Sequence, residues 1–171
     1  MLDNKHYKCI STFYAKKTAK RSKVPLINHI NEGLEILGYI GATRQAKEAY
    51  CIHPLLQNDS ELYAQVYSPL WIDTFDPIPL VLAMEYRAVA NAYLPISYTG
   101  ITDIVYTSTI PEVNYMLIAD KVQNRKDFEI YHKDYHPNSD ILTNYFNNWL
   151  KALEVTEDHY VYLKGILLNL Y

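Results

Sequence analysis

KRSKVPLINH (Lys20–His29), AYCIHPLLQND (Ala49–Asp59) and MLIADKVQNRKDF (Met116–Phe128) are the stretches that decide how this chain folds. Each puts a polar residue where a helix should face its core. His29 heads an apolar stripe that runs through Ile30, Leu34, Leu37 and Ile40, and His53 closes another formed with Ala46, Ala49 and Tyr50. Asp120 stands inside a third, in register with Val113, Met116 and Leu117. A carboxylate on the buried side of a helix is costly unless paired, so Asp120 demands a partner. Two imidazoles with that carboxylate suit a metal ion or a phosphate-bearing ligand. The plainer alternatives are a satisfied structural histidine at His29 and an ion pair of Asp120 with Arg21 or Arg125.

Working outward, residues 1–19 read as a short amphipathic helix, with Ile10, Phe13 and Tyr14 apolar and Lys16, Lys17 and Lys20 behind them. Pro25 starts the helix that carries His29; Gly38 and Gly41 end it, and Thr43 caps its successor. Pro54 removes a backbone donor and is expected to kink or restart that helix beside His53. SPLWIDTFDPIP (Ser68–Pro79) reads as a loop. Asp76 and Pro77 then open an apolar helix through Leu80, Met84, Val89 and Leu94. PISYTG is a turn. Thr109-Ile-Pro-Glu112 fits a capping box, and its helix carries Asp120 and Asn124 on one face. YHKDYHPNS is a loop. Its His132 and His136 have a spacing that suits a metal, but the loop setting marks them as surface residues. Leu142, Tyr145, Phe146, Trp149, Leu150 and Leu153 form one helical stripe, and Thr156 opens a last helix through Leu170. No strand pattern and no repeat stand out. The expected fold is all-α, a bundle of about seven helices.

Composition narrows the function. At 171 residues the chain can build one domain with a real core. It is 49% hydrophobic and 20% charged, an ordinary globular balance. A net charge of −3 argues against a broad nucleic-acid surface while leaving room for a local basic pocket. Cys9 and Cys51 are too few for a disulfide framework, which points to a reducing cytoplasm. Cys51 lacks a recognisable basic partner for nucleophilic work. MLDNKHYKC at the N-terminus has no apolar core of signal-peptide length, and no apolar run approaches the roughly 20 residues of a membrane span. The 17 tyrosines are spread along the chain and read as compositional bias rather than stacking surfaces.

In their order and spacing, three of these blocks resemble the HD-domain superfamily of metal-dependent phosphohydrolases. The nearest likeness is to the hydrolase domain of the RelA/SpoT enzymes, which act on (p)ppGpp. KRSKVPLINH is similar to the family's basic pair, serine, proline and first metal-binding histidine, here His29. The family's second histidine falls on His53. ADKVQN is similar to the family's Ala-Asp-Arg-x-x-Asn motif and aligns its last metal-binding aspartate with Asp120 and its asparagine with Asn124. The likeness spans residues 16–128 of one domain covering 1–171, with further helices at 139–171.

The resemblance implies one divalent transition-metal ion, manganese or zinc, on His29, His53 and Asp120. It also implies a phosphorylated purine nucleotide held by Lys20, Arg21, Lys23, Lys121, Asn124, Arg125 and Lys126. Two departures bear on chemistry. Pro54 stands where the family has the aspartate of its His-Asp pair. Gln57 and Asn58 stand where it has the Glu-Asp pair that positions water, and Asp59 is displaced by one residue, about 100° around a helix. A metal-bound water without such a base forgoes roughly 10²–10⁴-fold in rate. The leading expectation is therefore a cytoplasmic nucleotide-binding protein with little or no hydrolysis. Small stand-alone proteins of this type occur in bacteriophages, which suggests an anti-defence protein that sequesters a host signal. The alternatives are an active phosphohydrolase using Gln57, Asn58 or Asp59, and a dimeric interaction protein built on the C-terminal aromatic stripes.

Overall fold

Prolines, glycines and capping hydroxyls divide the chain into helices in the computed structural model, which describes residues 5–20, 22–66, 75–95 and 103–170. Eight helices lie among the described residues: α1 (Lys5–Tyr14), α2 (Ile27–Tyr39), α3 (Arg44–Gln57), α4 (Asp59–Val66), α5 (Pro77–Ala92), α6 (Pro111–Tyr131), α7 (Ser139–Ala152) and α8 (Glu157–Leu168). The described residues contain no strand, and a single antiparallel bridge between Thr18 and Pro25 closes the loop before α2. Arg21, most of the loop expected over 68–79 and all but the first residue of the turn expected over 95–100 lie outside the described residues. Among the described residues, no helix is long and apolar enough to cross a membrane.

Several helix ends form as their residues dictate. The Thr43 hydroxyl accepts from the Ala46 amide at 3.2 Å, and the Thr156 hydroxyl accepts from the His159 amide at 3.2 Å. Gly41 leaves α2 at φ 70°, where a side chain would be strained.

Other ends differ from expectation. The capping box does not form at α6: Ile110 is the N-cap, and no side chain caps it. Instead Asn114 bonds both the amide and the carbonyl of Ser108, at 3.0 and 2.9 Å, and the Ser108 hydroxyl accepts from the Ile110 amide. Helix α3 runs through Pro54 without restarting. The break falls at Asn58, whose extended backbone (ψ 152°) separates α3 from α4 and brings the count to eight rather than about seven. On α5 the core face is Pro79, Leu82, Ala83, Tyr86 and Ala90; Met84 points outward, and Leu94 lies beyond the helix end.

Helix α3 is the centre of the packing. It contacts α1, α2, α4, α5 and α6, and is buried from Glu48 to Leu56 at every position except Pro54. A helix buried nearly all round over this stretch belongs inside a bundle. Helix α6 is the second organiser, packed on α2, α3, α5, α7 and α8. One apolar cluster joins Ile10 of α1, Tyr50 of α3, Tyr86 of α5, Met116 of α6, Trp149 of α7 and Leu163 of α8.

His6 docks α1 onto this core. It is buried, stacks on Phe75 at 4.8 Å between ring centroids, and has no hydrogen-bond partner at either ring nitrogen. Burial lowers its pKa, with Lys5 and Arg44 adding to the effect and Glu48, 4.0 Å away, and Asp76 opposing it. The unfolded chain therefore takes up the His6 proton more readily than the folded one. Its contribution is complete above the ordinary histidine value of 6.5 and declines as pH falls below it. Urea unfolding followed from pH 8 to pH 5 should show stability dropping on the acid side, and His6→Leu should make that slope shallower, the remainder coming from His53, whose pKa is also lowered by burial.

Candidate functional site

Helices α2, α3 and α6 meet at one point, and each delivers one of the three residues that break the apolar pattern. His29 comes from the first turn of α2, His53 from the last part of α3 and Asp120 from the middle of α6. Their ligand atoms lie within 4.8 Å of one another. The two Nε2 atoms are 3.3 Å apart, and His29 Nε2 is 3.5 Å from Asp120 Oδ1.

Hydrogen bonds behind the rings fix where their protons sit. Gln123 gives its amide hydrogens to two carboxylates, Glu32 Oε2 at 3.1 Å and Asp127 Oδ2 at 2.8 Å. Its carbonyl oxygen is left to accept from His29 Nδ1 at 2.7 Å. Lys126 locks this layer by reaching Glu32 at 2.7 and 2.8 Å and Asp127 at 2.7 Å. The Tyr50 carbonyl, an acceptor only, takes the His53 Nδ1 proton at 2.7 Å. In the neutral rings both lone pairs therefore sit on Nε2, where they face each other and Asp120. Burial holds the His53 pKa down at about 3, so this ring stays neutral. Two lone pairs and a carboxylate repel at such distances, and a divalent cation converts that repulsion into coordination. The donor set of two imidazole nitrogens and one carboxylate fits such an ion.

Asp120 also answers the demand for a partner, though not through an arginine. Its second oxygen is 2.8 Å from Lys121 Nζ, and both side chains are buried. Burial alone would raise the Asp120 pKa, but the Lys121 ammonium outweighs it and holds the carboxylate at about 2. Burial would likewise lower Lys121, yet Asp120 and Tyr145 push it up to about 12. Lys121 further donates to the Tyr145 hydroxyl at 3.2 Å and lies 5.0 Å from the Trp149 ring centre. Asn124 donates to Asp120 Oδ1 at 2.9 Å, one turn along α6.

The triad opens into a cavity of about 790 Å³, within the ~300–1,000 Å³ range of small-molecule sites. Pro54, Gln57 and Asn58 line it near His53, and Lys121 and Asn124 line it from α6. Lys20, Lys23, Arg125, Lys126 and Asp59 are not among the lining residues. Lys20 and Lys23 are exposed on the loop before α2. Arg125 turns away, binding Glu129 at 2.9 Å and Glu157 at 2.6 Å, and Lys126 is committed to Glu32 and Asp127. Asp59 is exposed and pairs with Arg87.

Other lining residues were not singled out. Lys17 and Tyr14 contribute from the α1 side, and Glu61 from α4. Asp127 lines it from α6; it shares the Asp120 face at a spacing of seven, a regularity that could have flagged it. His132 and His136 also line the cavity and are half-buried, so they are not plain surface residues. Cys51 is buried, and its thiol is pushed up to about 12 by burial and by Glu48, which rules it out as a nucleophile near neutral pH.

No family model, no curated protein and no solved structure matches this chain.

Asp120→Asn separates the two duties of this carboxylate. It leaves Lys121 buried without its counter-charge, and a broken buried pair costs about 3–5 kcal/mol. Chemical denaturation should show a loss of that size, most of it recovered in the Asp120→Asn/Lys121→Met double variant. Affinity for Co²⁺, read by titration calorimetry, should stay lost in both.

Proposed function

We propose that this chain holds one divalent transition-metal ion on His29, His53 and Asp120 and uses it to bind a phosphorylated purine nucleotide with little or no hydrolysis. The observation that carries the reading is the convergence of two imidazoles and one carboxylate at the wall of a cavity. Lys121 balances the charge of Asp120, so a bound dication brings a net positive charge to the pocket, where a phosphate would meet it. A bound ion supplies Lewis-acid polarisation and an attachment point for phosphate oxygens. The chain's own share of binding falls to Lys17 and Asn124, which both line the cavity.

The reading of weak or absent turnover rests on what surrounds the triad. Pro54, Gln57 and Asn58 line the cavity beside His53 and carry no acid, and Asp59 is bound to Arg87 on the outside. Without a base at that wall, a bound ester stays intact, which suits sequestration better than turnover.

One observation favours a second reading, that of a metal-dependent phosphohydrolase. The Glu61 carboxylate lines the same cavity, held by the Ser60 hydroxyl at 2.7 Å, and Ser60 keeps its pKa low. A carboxylate there is an acceptor for a proton from water.

Incubating Mn²⁺-loaded protein with a panel of purine mono-, di- and polyphosphates, then separating the small molecules, decides between the two. The binding reading expects intact nucleotide to be retained and released only on denaturation. Phosphate release that disappears in Glu61→Gln would establish the hydrolase instead.

A further inference from the structure

Pro54 is the least expected residue at this site, because an imino acid offers a metal nothing. Its backbone is what matters. In an α-helix the amide of residue 54 would donate to the carbonyl of residue 50. Pro54 has no N–H, and α3 nonetheless runs unbroken from Arg44 to Gln57 around it. The Tyr50 carbonyl is thus deprived of its helical donor inside a fully buried segment, where an unsatisfied carbonyl is costly. The donor it finds is the ring of His53, with Nδ1 2.7 Å from the Tyr50 oxygen.

We infer that Pro54 is a positioning residue for the metal site: by withholding its own backbone proton it reserves the Tyr50 carbonyl for His53 Nδ1 and so presents the His53 Nε2 lone pair to the ion. This rests on the metal-binding reading above, yet it makes a claim about His53 that holds in the metal-free protein.

Tyr50 transmits the effect to both imidazoles. Its carbonyl holds His53, and its hydroxyl lies 3.4 Å from both His29 Nε2 and the His29 carbonyl. Its ring fits only because Gly33 on α2 has no side chain; a Cβ there would fall on the Tyr50 ring. The two histidines are therefore oriented by unlike devices, a side-chain amide for His29 and a helix carbonyl freed by proline for His53. Orienting groups of this kind are typically worth 10–100-fold in metal affinity.

The test compares wild type with Pro54→Ala, which restores the amide donor and places a good helix former in the interior of α3. Long-range ¹H–¹⁵N spectra of the metal-free proteins report the His53 tautomer. Wild type should show a single Nδ1–H form, and Pro54→Ala a mixture with Nε2–H. Zn²⁺ and Co²⁺ affinity by calorimetry should fall about tenfold or more in Pro54→Ala while its Tm holds or rises. A purely structural role for proline would move Tm and leave tautomer and affinity alone, which overturns the inference. An unchanged tautomer overturns it as well. If wild type binds neither metal, the metal-site reading fails, and the tautomer spectra still decide the inference on their own.

Discussion

Two imidazoles with their protons committed on the far side face each other at 3.3 Å, with a carboxylate beside them. With both rings neutral that arrangement is electrostatically unfavourable, so the surrounding structure has to hold it. Three helices distant in sequence are needed, since α2, α3 and α6 each bring one group. The layer of Glu32, Gln123, Lys126 and Asp127 ties α2 to α6 by hydrogen bonds of 2.7 to 3.1 Å. Charged groups buried to this extent are rarely the most stabilising choice, and a well-packed apolar substitute often matches or exceeds them. Here they hold His29 in one orientation, which apolar residues could not do.

The bundle supplies rigidity where the site needs it. Helix α3 is buried along most of its length, so His53 has no freedom to swing toward solvent. Helix α6 carries Asp120 between Ala119 and Lys121, all three buried, and the ion pair to Lys121 removes the isolated charge that would otherwise oppose folding. His29 is the most accessible of the three, with its side chain one-fifth exposed toward the cavity. The wall of the site is thus fixed by packing, while the loop before α2 and the start of α4 contribute further lining residues.

Much of this was legible in the sequence. Apolar periodicity gave the helices, and the places where that periodicity was interrupted by His29, His53 and Asp120 gave the residues that meet in space. Local signals failed where tertiary contacts took over. Pro54 was expected to kink or restart α3, but the helix runs on through it, with its neighbours buried and the His53 ring bonded to the Tyr50 carbonyl, and the break falls at Asn58. Thr109 was expected to cap α6, yet Asn114 reaches back to Ser108 and fixes the entry instead. The cationic residues were the least legible. Charge alone cannot tell a phosphate ligand from an ion-pair partner, and Arg125 and Lys126 found acids on neighbouring helices. Glu61 was missed because its place at the cavity depends on where α4 starts, which no short motif announces.

The stacking of Lys121 against Trp149 has an optical consequence. The ammonium group that neutralises Asp120 also sits 5.0 Å above the indole, in a fully buried setting. Indole emission responds to nearby charge. Anything that draws Asp120 toward a new partner shifts the balance on Lys121, and that shift falls on the chromophore directly. The protein thereby places an intrinsic fluorophore beside the lysine that pairs with Asp120.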